Sequence, residues 1–341
     1  MIKKIAIVIL NWNGKKYLER FLPSVCSSNY PNLEIVIGDN GSTDGSVLFL
    51  QEQYPFIRVI ETGVNLGFTG GYNEVLKAIE ADYFILLNSD VEVTPNWVEP
   101  LITLMENDPS IAACQPKIRA YHQKNEFEHA GAAGGFIDKF GYPFCAGRIL
   151  DTTETDQGQY NNSREIFWAS GAALCIKAAA WEKAQGFDSD FFAHMEEIDL
   201  CWRLKAMGYK IWYCSESVVY HVGGGTLNKE NPFKTYLNFR NNLFMLQKNL
   251  PFWRSLLTIF IRFWLDFLAL LHFLLQGKRK DAIAISKAHV NFFRNFKKTA
   301  HKRKQIKKTK AITNIYQGSI IWLYFIKGKK KFMELDTKRF S

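Results

Sequence analysis

The sequence has no Cys-x-x-Cys pair, no Gly-x-Gly-x-x-Gly, no Gly-Lys-Ser/Thr and no internal repeat. Each absence excludes a class. The six cysteines, Cys26, Cys114, Cys145, Cys175, Cys201 and Cys214, are scattered and sit mostly in apolar runs. They read as reduced, buried thiols of a cytosolic protein, which excludes a disulfide frame or a zinc site. The missing glycine motifs exclude the dinucleotide and P-loop fingerprints. A signal peptide is not expected: the apolar run of "MIKKIAIVIL" passes straight into Asn11-Trp12-Asn13, is too short for one with a cleavage site, and makes a better first strand. Acidic residues are scarce at the C-terminal end, where 19 Lys/Arg stand against 3 Asp/Glu from Gly277 to Ser341. The remaining residues hold 24 Lys/Arg against 30 Asp/Glu, so a mildly acidic body carries a strongly basic tail.

What is present is a globular composition, 47% hydrophobic and 22% charged over 341 residues, enough for one large domain with an appendage or for two domains. The first half alternates strands and helices. Strands are predicted at Ile5–Leu10, Glu34–Ile37, Ile57–Ile60 and Tyr83–Asn88, with helices over Lys15–Ser27, Val47–Gln53 and Thr69–Glu80. That pitch means βαβ units and a mostly parallel sheet covered on both faces. Ligands of such sheets bind beyond the carboxyl ends of the strands, and the polar clusters stand there: "NWNG", "GDNGSTDGS" and "NSD". Residues 120–165 read as long loops around short strands. A helix is expected over Glu196–Met207, then strands near Lys210–Tyr213 and Val218–His221, a glycine break at 223–225, and helical text from Pro232.

Three features carry chemistry. Asp90 ends a buried strand beside Asn88 and Ser89, a placement suited to a hard divalent cation and a diphosphate, although a plain strand-end aspartate reads the same way. Glu196, Glu197 and Asp199 crowd one helix start. The helix dipole favours negative charge there, yet three carboxylates exceed what capping needs, and their repulsion raises at least one pKa towards that of a base working near neutrality. His221 ends an apolar strand just before glycines, which makes it a ligand candidate.

The order of these motifs resembles a family 2 glycosyltransferase of the GT-A fold. The resemblance runs through Asn11 and Asn13, "DNGSTDGS" (Asp39 to Ser46), "NLGFTGGYN" (Asn65 to Asn73), "LLNSD" (Leu86 to Asp90), Glu196 to Arg203, and His221 with Gly224 and Thr226. "YLNFRNNLFML" (Tyr236 to Leu246) is similar to the Arg-Asn-rich helix of the rhamnosyltransferase-like branch, which acts on lipid-linked or surface-polysaccharide acceptors. The resemblance implies an α/β GT-A domain over residues 1–230 and a helical, basic, membrane-associating region over 231–341. It implies an inverting transfer of sugar from a nucleoside-diphosphate sugar of UDP or dTDP type to an acceptor hydroxyl on a glycan or polyprenyl-linked carrier. Asp90 would hold Mg²⁺ or Mn²⁺, with His221 completing the coordination. Asn11, Asn13, Asp39, Asn40, Asn65, Gly67, Gly71, Asn73, Ser89, Trp168 and Gly171 would surround the donor. The base falls on Glu197, where the family usually has aspartate, with Glu196 and Asp199 as the other candidates.

Other classes remain open at this point: a non-catalytic nucleotide- or glycan-binding homologue, and a nucleotidyltransferase, which would want a Gly-rich, cation-bearing loop where "NWNGKKYL" offers Lys15 and Lys16. Nucleic acid is not expected as a partner, because the body is acidic and the basic tail is flanked by apolar aromatic stretches. An anionic membrane surface suits that tail better. Phe252–Leu275 carries Arg254, Arg262 and Asp266. It reads as a helix lying in the cytoplasmic leaflet of the inner membrane, or as a single span if Arg262 and Asp266 neutralise each other at i, i+4.

Overall fold

The continuous apolar runs of the first half become strands because both faces of their sheet are covered. A computed structural model describes residues 2–223, 231–305 and 311–341. In it β1 (Ile5–Asn11), α1 (Lys15–Cys26), β2 (Leu33–Asp39), α2 (Ser46–Gln53), β3 (Arg58–Glu61), α3 (Gly67–Leu76) and β4 (Tyr83–Leu87) form a parallel half-sheet ordered β3-β2-β1-β4. Val8 and Leu86 belong to the core on one side of the sheet, Ile7 and Ile85 to that on the other. α3 stops at Leu76, earlier than its sequence suggests, because Ala78 and Ile79 donate to carbonyls three residues back and the chain tightens into a turn.

The rest of the sheet is mixed rather than parallel. After β5 (Val91–Val93) and α4 (Val98–Asn107), β6 (Ile111–Ala120) enters, followed by a small second sheet of β7 (Gly135–Asp138), β8 (Pro143–Cys145), β9 (Arg148–Ile149) and β10 (Thr152–Thr153) in the stretch read as long loops around short strands. β11 (Arg164–Ile166), β12 (Ala173–Lys177), α5 (Ala178–Lys183), α6 (Glu196–Ala206) and β13 (Lys210–His221) complete the body. β12 runs antiparallel between β4 and β6. β13 is one strand, not two, with a register shift against β6 between Cys214 and Val218. Its far end also pairs with β5, Val91 opposite His221. This pairing brings Asp90 to the histidine.

Four helices follow: α7 (Pro232–Asn249), α8 (Phe252–Leu275), α9 (Arg279–Arg294) and α10 (Phe296–Gln305). Asn231 caps α7 by accepting from the Phe233 N–H, with Pro232 in the first turn where no donor is lost. The chain then returns to the body. β14 (Ile315–Tyr316) adds to the small sheet beside β7, α11 (Ile320–Phe325) starts where the Ile320 N–H donates to Asp138, and Phe332 and Phe340 pack on Phe136.

α8 buries the wrong face for a soluble helix. Ser255, Thr258, Ile259, Arg262 and Asp266 point inward, and the Arg262–Asp266 pair is joined by His289 at 3.0 Å. The opposite face presents Leu257, Phe260, Trp264, Leu268 and Leu271 to the outside, with Trp253 78% and Leu275 88% exposed at its ends. α8 is also the one helix among the described residues long and apolar enough to cross a membrane.

Candidate active site

The tips of β1 and β2 are in register, Asn11 opposite Asp39. Asn11 Nδ2 donates to Asp39 Oδ1 (3.2 Å) and Ser42 Oγ (3.1 Å), and the Ser42 N–H donates to Asp39 Oδ2 (2.9 Å). Asn13 takes a left-handed backbone (φ 51°) and accepts from the Thr43 N–H at 2.7 Å. The two loops are thereby sewn together, and Asn11 Oδ1 stays buried without a partner among the described residues. Asn40 fastens the next loop, donating to Asn65 Oδ1 and the Gly67 carbonyl and accepting from the Leu66 N–H. Gly67 needs its left-handed φ of 73°, and a Cβ there would enter the Phe192 ring. A Cβ on Gly71 would meet Leu10, so α3 lies close on β1. Asn73 mimics a peptide group, donating to the Phe187 carbonyl (2.8 Å) and accepting from its N–H (2.9 Å). Asn40, Asn65, Gly71 and Asn73 are thus all engaged in holding these loops and α3 against the strand tips. Ser89 is partly buried beside Gly14, where a Cβ would sit 3.4 Å from its Oγ.

Asp90 meets His221 at the end of the sheet, Oδ1 to Nε2 at 3.1 Å, and the other ring nitrogen lies 3.2 Å from Glu128 Oε2. Asn88 Nδ2 is 3.4 Å from Nε2. All three titratable groups are buried. Burial pushes the Asp90 and Glu128 carboxyls up and the His221 imidazole down, but mutual attraction reverses each shift: both carboxyls fall below their ordinary range and the histidine rises well above its own. His221 thus stands between two carboxylates, each within ion-pair distance of one ring nitrogen. Glu128 was not legible as a site residue. It arrives by the turn after β6, and its one trace in the sequence is an acid inside a glycine-rich loop. Gly224 and Thr226 lie outside the described residues. Among the described residues no group of three His, Cys, Asp or Glu side chains forms a metal cage. A single ionised carboxylate fits instead a cation that shares its coordination with phosphate oxygens and water.

The second cluster opens α6. Phe192, His194 and Met195 all have positive φ, at 64°, 69° and 73°, which is costly for residues with a Cβ and aims the helix start. Glu196 Oε2 and Glu197 Oε2 are buried without partners among the described residues. Burial, with repulsion from Glu197 added, pushes the Glu196 carboxyl well above its ordinary range, and burial pushes Glu197 up to about 7. Glu197 faces Gly171, where a Cβ would come within 3.9 Å of the glutamate Cβ. Next along the chain, the Ala172 carbonyl accepts from the Asn88 N–H at 3.0 Å. The β12–β4 pairing thus links the glutamate cluster to the Asp90 cluster.

Two candidates are held inside the body. Trp168 is core: its indole N–H donates to the Phe136 carbonyl at 2.9 Å and its ring covers Gly135. Asp199 is fully buried and fully paired, with Arg203 Nε and Lys248 Nζ on Oδ2 at 2.8 Å each and Asn249 Nδ2 on Oδ1 at 2.8 Å. Asp199→Ala would leave the buried Arg203 without its carboxylate and Lys248 with Asp188 alone, and is expected to destabilise the fold by about 3 kcal/mol, read by urea denaturation.

Solved structures share this architecture. A mannosyltransferase from Pyrobaculum calidifontis, in complex with GDP-Man and Mn²⁺, superposes with TM-score 0.52 at 13% identity, covering 90% of this chain and 85% of that one. GalNAc-T7 with UDP, GalNAc and Mn²⁺ superposes with TM-score 0.53 at 18% identity, covering 64% of this chain and 43% of that one. The fold is that of a GT-A glycosyltransferase. Residues 6–170, just under half of the chain, match the model for glycosyl transferase family 2. An N-acetylglucosaminyl-diphospho-decaprenol L-rhamnosyltransferase of Mycobacterium tuberculosis is 24% identical over 272 residues, covering 75% of this chain and 88% of the relative. The protein is a glycosyltransferase.

Proposed function

We propose that the protein is an inverting, metal-dependent transferase that moves a sugar from a nucleoside-diphosphate donor, of UDP or dTDP type, to a hydroxyl of a lipid-linked glycan at an anionic membrane surface. The observation that carries the reading is the half-buried Glu197 carboxyl, whose Oε2 has no partner among the described residues and which is raised to about 7, tied to the Asp90 strand end through the Asn88–Ala172 hydrogen bond. A single displacement with inversion needs one base and one stabilised leaving group. Glu197 takes the proton of the acceptor hydroxyl as that oxygen attacks the anomeric carbon. Asn11, with Oδ1 left over, and Asp39 hold the nucleotide end at the strand tips. A divalent cation held by Asp90 would offset the charge that develops on the departing diphosphate. His221 and Glu128 keep Asp90 ionised and aimed.

The lipid-linked acceptor is supported by the mycobacterial relative, whose name specifies one. The outward apolar face of α8 supports it independently: aromatic rings and leucines there match the interfacial layer of a bilayer, while the Arg262–Asp266 pair keeps the other face on the body. The helix lies on the cytoplasmic leaflet in this reading. Replacing both Trp253 and Trp264 with Ser is expected to lower the fraction that floats with vesicles containing phosphatidylglycerol by at least about tenfold, with no change in melting temperature, since each Trp anchor buries a large apolar surface in the membrane. Retained flotation would remove α8 as the contact, and resistance of the wild type to alkaline carbonate would show a span instead.

The test of the whole reading is thermal stabilisation by UDP, dTDP, GDP and CDP, each with and without Mn²⁺. One diphosphate should raise the melting temperature only with the metal. Stabilisation by none of them under any condition would sink the transferase reading in favour of a non-catalytic homologue.

A further inference from the structure

The turn ahead of the two glutamates is gripped from the C-terminal helices. Its non-glycine residues in left-handed conformations, Phe192, His194 and Met195, would relax if nothing held them. Asn241 of α7, fully buried, donates through Nδ2 to three carbonyls of this turn: Phe191 (2.9 Å), Ala193 (2.8 Å) and His194 (2.8 Å). Its amide orientation is set by Arg240, whose Nε donates to Asn241 Oδ1 at 2.9 Å. The same arginine donates through Nη2 to the carbonyls of Asp190 and Phe191, both at 3.0 Å. Upstream, Lys248 and Lys302 pair with Asp188, and Lys298 and Lys302 with Asp190. Downstream, Lys248 and Asn249 take Asp199. The turn and the first helical turn after it are thus held at both ends, with Glu196 and Glu197, neither of which has a cationic partner among the described residues' ion pairs, between the grips.

We propose that Asn241, oriented by Arg240, is a positioning residue of the transferase: it holds the 190–195 turn in its left-handed course and thereby sets the placement of the Glu197 carboxylate. The helical region is on this view half of the active site as well as the part that meets the membrane. The next residue makes the second connection. Asn242 accepts from Arg262 of α8 and donates to the Gly141 carbonyl at 2.8 Å. One turn of α7 therefore grips the turn before the base and the helix with the outward apolar face. The proposal rests on the transferase reading for its catalytic consequence, but the grip itself is readable without it.

The test is Asn241→Asp, which keeps the shape and turns donors into acceptors against three carbonyls. Arg240→Met serves as a second, less buried variant that loses the orienting bond. Two readouts are taken on the full chain. Amide hydrogen exchange should rise in residues 189–195 of both variants and stay at the wild-type level in β1, β2 and β4. Turnover of UDP- and dTDP-linked sugars, with a bacterial lipid extract as acceptor, should show a split: donor KM within about twofold of wild type and kcat down about 100-fold, the scale of an ångström misplacement. Wild-type exchange in the turn of both variants overturns the proposal, whether or not the wild type turns over. Raised exchange with wild-type kcat also overturns it, since the grip would then not matter to the base. Absence of turnover in the wild type counts against the transferase reading, and the grip then stands or falls on the exchange data alone.

Discussion

Glu197→Gln is expected to lower kcat by about 10²–10⁴-fold, the range for removing a general base. The amide keeps the size of the glutamate and cannot take the acceptor proton. The pH dependence supplies an independent check. The base must be ionised, so the wild-type rate should rise with pH through about 7 and then level, while the residual rate of the variant should lose that rise. Glu196→Gln separates the two neighbours. Burial and repulsion from Glu197 push the Glu196 carboxyl up and so favour its neutral form, which an amide imitates. The rate should then stay within about tenfold of wild type, below the loss that removal of a base brings. A larger loss at 196 than at 197 would transfer the base role to Glu196. Stability should move the other way. A carboxyl whose folded pKa is raised contributes stability below its unfolded pKa, and that contribution is lost as pH rises through the folded value. At pH 8 the Glu197→Gln protein should therefore melt above the wild type, which separates a lost base from a lost fold.

Asp90→Ala is expected to lower the rate by about 10³-fold or more, since charge stabilisation of several kcal/mol at a leaving group converts at about tenfold per 1.36 kcal/mol. The same variant should lose the Mn²⁺-dependent part of the nucleotide's thermal stabilisation while keeping any metal-independent part, because Asn11 and Asp39 are untouched. His221→Ala should act through Asp90 and produce a smaller loss, as one hydrogen bond and one charge interaction disappear while the carboxylate remains. An Asp90→Ala protein that still responds to Mn²⁺ as the wild type does would place the metal elsewhere.

Much of the site is legible in the sequence because strand ends are local. The run from Tyr83 to Leu87 had to be buried, so Asp90 had to emerge at an edge of the sheet. The same argument places Asn11 and Asp39, whose strands are in register. The helix start at Glu196 and all of α8, Phe252–Leu275, follow from residue pattern alone. Glu128 does not, because it joins the site through the turn after β6 and through His221, a pairing no local pattern encodes. Trp168 stands close to the right motifs and still goes to the core, since an indole that finds a carbonyl acceptor and a glycine to lie on is most stable buried.

Local pattern was enough for the alternation of the first four strands with three helices, for the sheet edge where polar residues gather, and for the family resemblance. Those follow from periodicity and spacing, which act over a few residues at a time. Which of the three carboxylates is neutralised by cations from elsewhere in the chain is settled only in three dimensions. Glu196, Glu197 and Asp199 occupy one helix turn and are indistinguishable by position. Asp199 is neutralised by Lys248, 49 residues away, and Asp90 is aimed by His221, 131 residues away. Burial then leaves Glu197 as the carboxylate that changes charge near neutrality. The outward face of α8 has the same origin: its composition admits a core helix or a span, and the seating of Arg262 and Asp266 against α7 and α9 turns the apolar side out.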